Sequence, residues 1–477
     1  MDAKLQTSFF DLIEVHESSA AGLFNVLKEC FTSKDIPLEN IAGFCSDTTN
    51  VMMGARHSVA SLLKSVLPKV VIVKCACHMV HLAASYACLK LPRYIEDLCR
   101  NIFSQFNLSS KRQRALNEFQ KFVEIQPHKI LAPGQTRWLS LQACVKRLLE
   151  QWDALILYFR ELAFSDPTQV NDMIVDALGN EVTVAYLEFL DYNLGKFNQF
   201  NTLFQSESPN FFSVKSETCK LIRSLCSDFM NVRYVKTADI SLLNPSHPTF
   251  SSACISDGNI YIGLSATHTI DKLKESGNMT NEKLAVFYKN CRSFLVEAVS
   301  QIQTRFSLED SVYKVVSCLN PRAAVSLDPP SLGFLFDEIP QLSKFADKKM
   351  VDIEWRKYYL DEEISAQLDT VKYWTIVFSR KNDAGLQCYP NLYQIMSTLL
   401  SLPFSNASAE RFFSQLNLTK TTERTRLKNE TVRGLMHTVY YLKNKELSAH
   451  SMQIDEKLLK AITNVRSDAT CSESEAI

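Results

Sequence analysis

Ser405-Asn-Ala-Ser-Ala-Glu-Arg-Phe-Phe-Ser414 puts a carboxylate, Glu410, in the opening turn of a helix, and a companion stretch far upstream, Phe44-Cys-Ser-Asp-Thr-Thr-Asn-Val-Met-Met-Gly54, puts another, Asp47, where a short strand ends. The spacing predicts strands at Ile41–Cys45 and at Val70–Lys74, each a short β-branched and aromatic run. A further strand is expected at residues 8–15, Ser-Phe-Phe-Asp-Leu-Ile-Glu-Val. Ser18 and Ser19 then cap a helix whose stripe is Leu23, Val26, Leu27, Cys30 and Phe31. Strand, helix, strand, helix, strand is an α/β opening.

Beyond about residue 80 the apolar period becomes helical. Ile95, Leu98, Ile102 and Phe106 form one stripe, and Leu141, Cys144, Val145, Leu148, Trp152, Leu155, Ile156 and Phe159 form another. A third runs through Leu284, Phe287, Cys291, Phe294, Leu295, Ala298 and Ile302. Loops are expected at Leu243–Pro248, at Asn320-Pro321 and at Asp328-Pro-Pro330. A final region carries Trp374, a turn at Tyr389–Leu392 and helices through Tyr440-Tyr441-Leu442, and the tail from 451 has no apolar period.

Composition bounds the rest. The 477 residues include 46% apolar and 10% aromatic side chains and only 12 glycines, enough to bury sizeable cores in a largely helical fold. Lys plus Arg equals Asp plus Glu at 52 each, so no global field favours nucleic acid and any DNA contact is local. Fourteen cysteines scattered in apolar contexts, with no secretory apolar segment at the start, point to reduced core thiols in the cytosol or nucleus. The run Val70–Val73 is too short to span a bilayer, so no membrane partner is expected.

Each candidate site has an ordinary reading beside its functional one. Asp47 would cap the turn after its strand, and Glu410 would complement a helix dipole. In Lys74-Cys-Ala-Cys-His-Met-Val-His81, Cys77 and His81 share a helical face and suggest zinc, but no second Cys/His cluster lies at finger spacing. No metal is therefore expected there. Trp138 is a core ring at a helix start, with Arg137 beside it for phosphate. Lys420, Arg424, Arg426, Lys428 and Arg433 form the densest basic run, either a solvated face or a weak, salt-sensitive phosphate contact; Lys111-Arg112-Gln-Arg114 is a smaller one. Val432, Leu435, Met436, Val439, Tyr440 and Leu442 make an apolar face broad enough to fold back on a core or to join subunits.

Four landmarks in order make the chain resemble hAT-type DNA transposases and the host proteins derived from them. They are Asp47 with Asn50, Met53 and Gly54; Cys75-x-x-His78; Thr136-Arg137-Trp138; and the 405–414 block leading into Thr422-Glu-Arg-Thr-Arg-Leu427. The resemblance implies an α+β, mostly α, fold: an RNase H-like core split by a large helical insertion. It divides the chain at residues 1–80 (first part of the core, with its first strands missing), 81–371 (insertion), 372–447 (second part with the hAT dimerisation region) and 448–477 (flexible tail).

In that family two Asp and one Glu hold two divalent metals such as Mg²⁺ for phosphodiester attack. By motif Asp47 is the second acid and Glu410 the third; the resemblance also implies that Cys75 and His78 form a structural corner and that Trp138 is a platform for an extruded base. The first belongs on a strand preceding residues 8–15, so neither Asp2 nor Asp11 fills the role, and the strand at 41–45 is expected to have an uncovered edge. The implied protein is a catalytically inactive nuclear homodimer or higher oligomer without a retained metal cofactor. It associates through Phe412, Phe413, Leu435, Met436, Val439 and Tyr440, and has weak DNA affinity through Trp138, Arg137, Lys420, Arg424 and Arg426. A domesticated nuclear regulator that scaffolds other proteins and a fragment of an active cut-and-paste transposase are the alternatives.

Overall fold

A computed structural model describes residues 7–131, 139–205, 211–240, 243, 245, 247–358, 360, 369–421, 423–454, 456 and 459–460. Arg137, Trp138 and the tail from residue 461 lie outside the described residues. The protein is mostly helical, with a single two-stranded sheet among the described residues. None of the described helices is long and apolar enough to cross a membrane. The chain divides into two compact units, a larger one built on residues 19–407 and a smaller one combining the N-terminal segment up to Ser18 with residues from Ser408 onward.

In the larger unit β1 (Gly43–Ser46) and β2 (Val71–Lys74) pair in parallel, with Gly43 opposite Val71 and Ser46 opposite Lys74. The connection passes through helix Val59–Val66, started by a reciprocal capping box between Ser58 and Ser61. Side chains alternate across the sheet as a period of two requires. Phe44 and Ile72 join Leu63, Leu67 and Val70 in a small core under helices Ala20–Thr32 and 59–66, while Cys45 and Val73 face the main core. Both strands expected at 41–45 and 70–74 are present. The segment after helix Pro390–Leu400 packs onto β1 so closely that a Cβ on Gly43 would lie 2.9 Å from Leu402 and Pro403.

The strand expected at residues 8–15 does not form: residues 7–19 carry no helix or strand. An isolated extended segment has no ladder partner. Its alternation survives, because Phe9 and Asp11 contact the helices of the smaller unit while Phe10 points to solvent. Ser19 does cap helix 20–32 through the Gly22 N–H, but Leu23, Val26, Leu27 and Phe31 are only half-buried, since one side of this helix meets only the small core.

The main core is built around helices Ala76–Cys88, Val182–Gln205 and Asn281–Arg305. Helix 182–205 is buried nearly all round, as a helix enclosed by others must be. Phe189 meets Phe294 edge to face with centroids 5.2 Å apart, and Tyr186 meets Phe287 at 4.7 Å. The stripe expected from Leu141 to Phe159 is split at Gln151, between helices Leu139–Glu150 and Trp152–Ser165. Gln151 is wholly buried, accepts from the Gln120 amide at 2.7 Å and donates to the Gln126 carbonyl. Trp152, expected mid-stripe, is consequently a half-buried first residue of the second helix. Pro390, expected in a turn, opens helix 390–400, where its missing N–H costs nothing.

Candidate self-association site

The smaller unit is organised by helices Ala407–Thr419, which begins at the boundary between the units, and Asn429–Asn444. On helix 429–444 Val432 and Met436, one turn apart, are buried, Leu435 and Tyr440 are half-buried and Val439 is exposed. On helix 407–419 Phe412 turns towards Tyr440, with centroids 4.4 Å apart in edge geometry, whereas Phe413 is 59% exposed. The six residues expected to associate therefore divide. Met436, Phe412 and Tyr440 take part in the packing of the unit, and Phe413 and Val439 face outward with Leu435 at the margin.

Phe9 completes an aromatic cluster on this surface. Its ring lies 5.2 Å from Phe412, 4.8 Å from His437 and 5.6 Å from Tyr440. Asp11, two residues on and therefore on the same side of an extended chain, accepts from Arg433 Nη2 at 2.6 Å, and His437 Nε2 lies 3.8 Å from it. Within the basic run Arg433 is thus held by an acid of its own unit. Lys420 directly follows helix 407–419 and donates to Asn429, while Arg424 and Arg426 are exposed in the connection before helix 429–444 and not on a helical face. Glu410 occupies the first turn of helix 407–419, where its charge complements the helix dipole.

In the larger unit Asp47 follows β1 directly, and its carboxylate accepts from the Thr49 N–H at 3.1 Å and the Thr49 hydroxyl at 2.7 Å, closing the turn into helix Asn50–Met53. Gly54 ends that helix so tightly that a Cβ would lie 2.4 Å from the Asn50 carbonyl. Cys75 caps helix 76–88, and its Sγ accepts from the Asn406 N–H at 3.2 Å, while Cys77 Sγ lies 3.6 Å from the Ser405 hydroxyl. The hydrogen bond with Cys77 pulls the Cys75 thiol down to about 7; burial opposes this, and the Asn406 and His78 N–H groups reinforce it. Burial pushes the neighbouring Cys45 thiol well up. His78 stacks on His81 with centroids 6.2 Å apart. The corner joins the end of β2 to residues 405–406. Among the described residues no three His, Cys, Asp or Glu side chains converge as metal ligands would.

A cleft of about 510 Å³ opens at the carboxyl ends of the two strands, lined by Thr48, Asn50, Gly54, Lys74, Tyr86 and Arg305. The Arg305 guanidinium lies 5.0 Å over the Tyr86 ring and donates to Gln301 at 2.9 and 3.1 Å. Sequence reasoning singled out neither Lys74 as a charge nor Arg305 at all. Lys74 ends a strand, which is a weak local signal, and Arg305 reaches the cleft only through the packing of helix 281–305 against helix 76–88.

The comparison with protein families bears on the carboxyl-terminal part. The stretch it identifies takes in helices Lys348–Tyr358, Thr370–Ser379, 390–400, 407–419 and most of 429–444. Residues 341–442 match the family model for the hAT family C-terminal dimerisation region, which supports self-association and a transposase origin for this chain.

Proposed function

We propose that this is a hAT transposase-derived protein that acts by self-association through its carboxyl-terminal region, in the nucleus, without cutting DNA. The observation that carries the reading is the match of residues 341–442 to a dimerisation region, which includes Phe412, Leu435, Met436, Val439 and Tyr440. Light scattering of the purified chain at micromolar concentration tests it: a mass of twice 54.2 kDa or more is expected, and a monomer across that range overturns it.

The finer parts of the reading rest on separate supports. An RNase H-like ancestry is supported by the parallel β1–helix–β2 unit with Asp47 at the end of β1. Loss of strand cleavage is supported by the engagement of Asp47, whose carboxylate is taken up by the Thr49 N–H and hydroxyl as a turn cap. Incubation with duplex DNA and Mg²⁺ or Mn²⁺ is expected to leave the strands intact; metal-dependent nicking abolished in Asp47→Asn overturns this. Weak DNA affinity is assigned to local cations, Lys74 and Arg305 in the strand-end cleft and Arg424 and Arg426 in the exposed turn. Such binding is expected to fade steeply with salt.

A further inference from the structure

The aromatic cluster of the smaller unit has the form of a recognition groove with its ligand in place. Helices 407–419 and 429–444 offer Phe412, His437 and Tyr440 as walls and Arg433 as the charged rim. The occupant is a short extended segment presenting an aromatic ring, Phe9, and two residues later a carboxylate, Asp11. Ser8 adds a contact at the far end, where its hydroxyl accepts from Asn444 at 3.5 Å. The Asp11 side chain is only 3% exposed, so the groove desolvates the acid almost completely and pairs it with a guanidinium through a hydrogen bond from Nη2 and an ion-pair contact from Nε.

Three features bear on whose segment fills the groove. Its walls and rim, Phe412, Arg433, His437 and Tyr440, all lie within residues 341–442, the stretch similar to a dimerisation region. The segment is tethered by Leu12–Ser18, which carry no helix or strand and can extend to roughly 25 Å. Docking is carried by side chains, Phe9 and Asp11 foremost, and not by a backbone ladder, so it can be released and remade without unfolding either helix. A short element docked by a few side chains and held on an extended hinge is readily exchanged between identical chains, which gives a closed two-fold dimer in which each groove is filled once.

We propose that the self-association of this protein proceeds by reciprocal exchange of residues 8–12, each chain inserting Phe9 and Asp11 into the groove formed by Phe412, Arg433, His437 and Tyr440 of a second copy. The inference deepens the self-association reading and rests on it. The closed form, with the segment in its own groove, is then the monomer, and exchange is favoured at high concentration because the tether otherwise supplies the segment at a high effective concentration.

Charge reversal separates exchange from a purely internal contact. Asp11→Arg alone and Arg433→Asp alone each set like charges against one another in the closed monomer and in the exchanged homodimer alike, so neither is expected to dimerise more tightly than wild type in sedimentation equilibrium. Mixed in equal amounts, the two variants form a heterodimer in which one groove is native and the other pairs the new arginine with the new aspartate, while neither chain can close favourably on itself, so the mixture is expected to associate at least tenfold more tightly than either variant alone. The double variant Asp11→Arg/Arg433→Asp in one chain is expected to dimerise by itself, which controls for misfolding. A mixture as dissociated as its components overturns the exchange, and in that case the self-association reading stands. A wild-type chain that stays monomeric overturns both.

Discussion

Asp11 and Arg433 form an ion pair across 422 positions of sequence, and it is lopsided: the aspartate side chain is 3% exposed and the arginine 45%. Burial of the acid makes it depend on its partner, while exposure of the arginine limits what the pair contributes. Arg433→Met is expected to lower the stability of the smaller unit by about 1–2 kcal/mol, below the range for a fully buried pair. Amide exchange at residues 8–12 should accelerate in the variant while exchange in helix 182–205 is unchanged, and equal acceleration in both regions would contradict a local role.

The ion pair of Lys196 with Asp228 is buried on both sides, with side chains 11% and 4% exposed, and Asp228 also accepts from the Tyr192 hydroxyl at 3.1 Å. Burial raises the Asp228 carboxyl and lowers the Lys196 ammonium, each against the pull of its partner. Lys196→Met strands a buried carboxylate and should cost about 3–5 kcal/mol at pH 7, whereas Lys196→Met/Asp228→Leu should recover most of it. An acid whose folded value is raised contributes stability below its unfolded value and loses it as pH rises. The single variant's deficit should therefore shrink as pH falls from 7 towards 4, which denaturation at several pH values reads directly.

Trp374 is fully buried and its Nε1 donates to the Leu319 carbonyl at 2.9 Å, while Trp152 is half-buried. Trp374→Ala should cost about 3–5 kcal/mol, the range for emptying a large aromatic site. Trp152→Ala should cost about half as much, because less apolar area leaves water at that position. Urea midpoints in the reverse order would contradict the split of the 141–159 stripe at Gln151.

Cys75 offers a pH test of the strand-end corner. Its folded value, about 7, lies below the usual 9.0, so between those values the folded state binds fewer protons than the unfolded one. Its contribution to stability therefore grows as pH rises through that window and is lost as pH falls through about 7. Cys75→Ser should flatten the rise, by on the order of 1 kcal/mol between pH 6.5 and 9. A variant with the same pH slope as wild type would show that the hydrogen bonds from Cys77 and Asn406 do not hold the thiolate.

The sequence by itself determined the elements whose evidence is local. The stripe from Phe287 to Ile302 is buried as its spacing demands, and the runs at 41–45 and 70–74 form the strands their composition favours. Ser19 caps its helix, and Glu410 lies in a first helical turn, as sequence spacing of one turn indicates. Neighbours three or four apart on a helix, or two apart on a strand, always meet, so a periodic pattern carries that information within a dozen residues. Tertiary structure alone decided the rest. The segment 8–15 has the composition of a strand but no ladder beside it, and its Phe9 and Asp11 meet Tyr440 and Arg433 instead. Gln151 breaks a continuous apolar stripe because Gln120, on another helix, reaches its amide, and Arg305 enters the strand-end cleft because helix 281–305 packs on helix 76–88. Such encounters join residues far apart in the chain, and which of them forms depends on the packing of every intervening element, which no local period encodes.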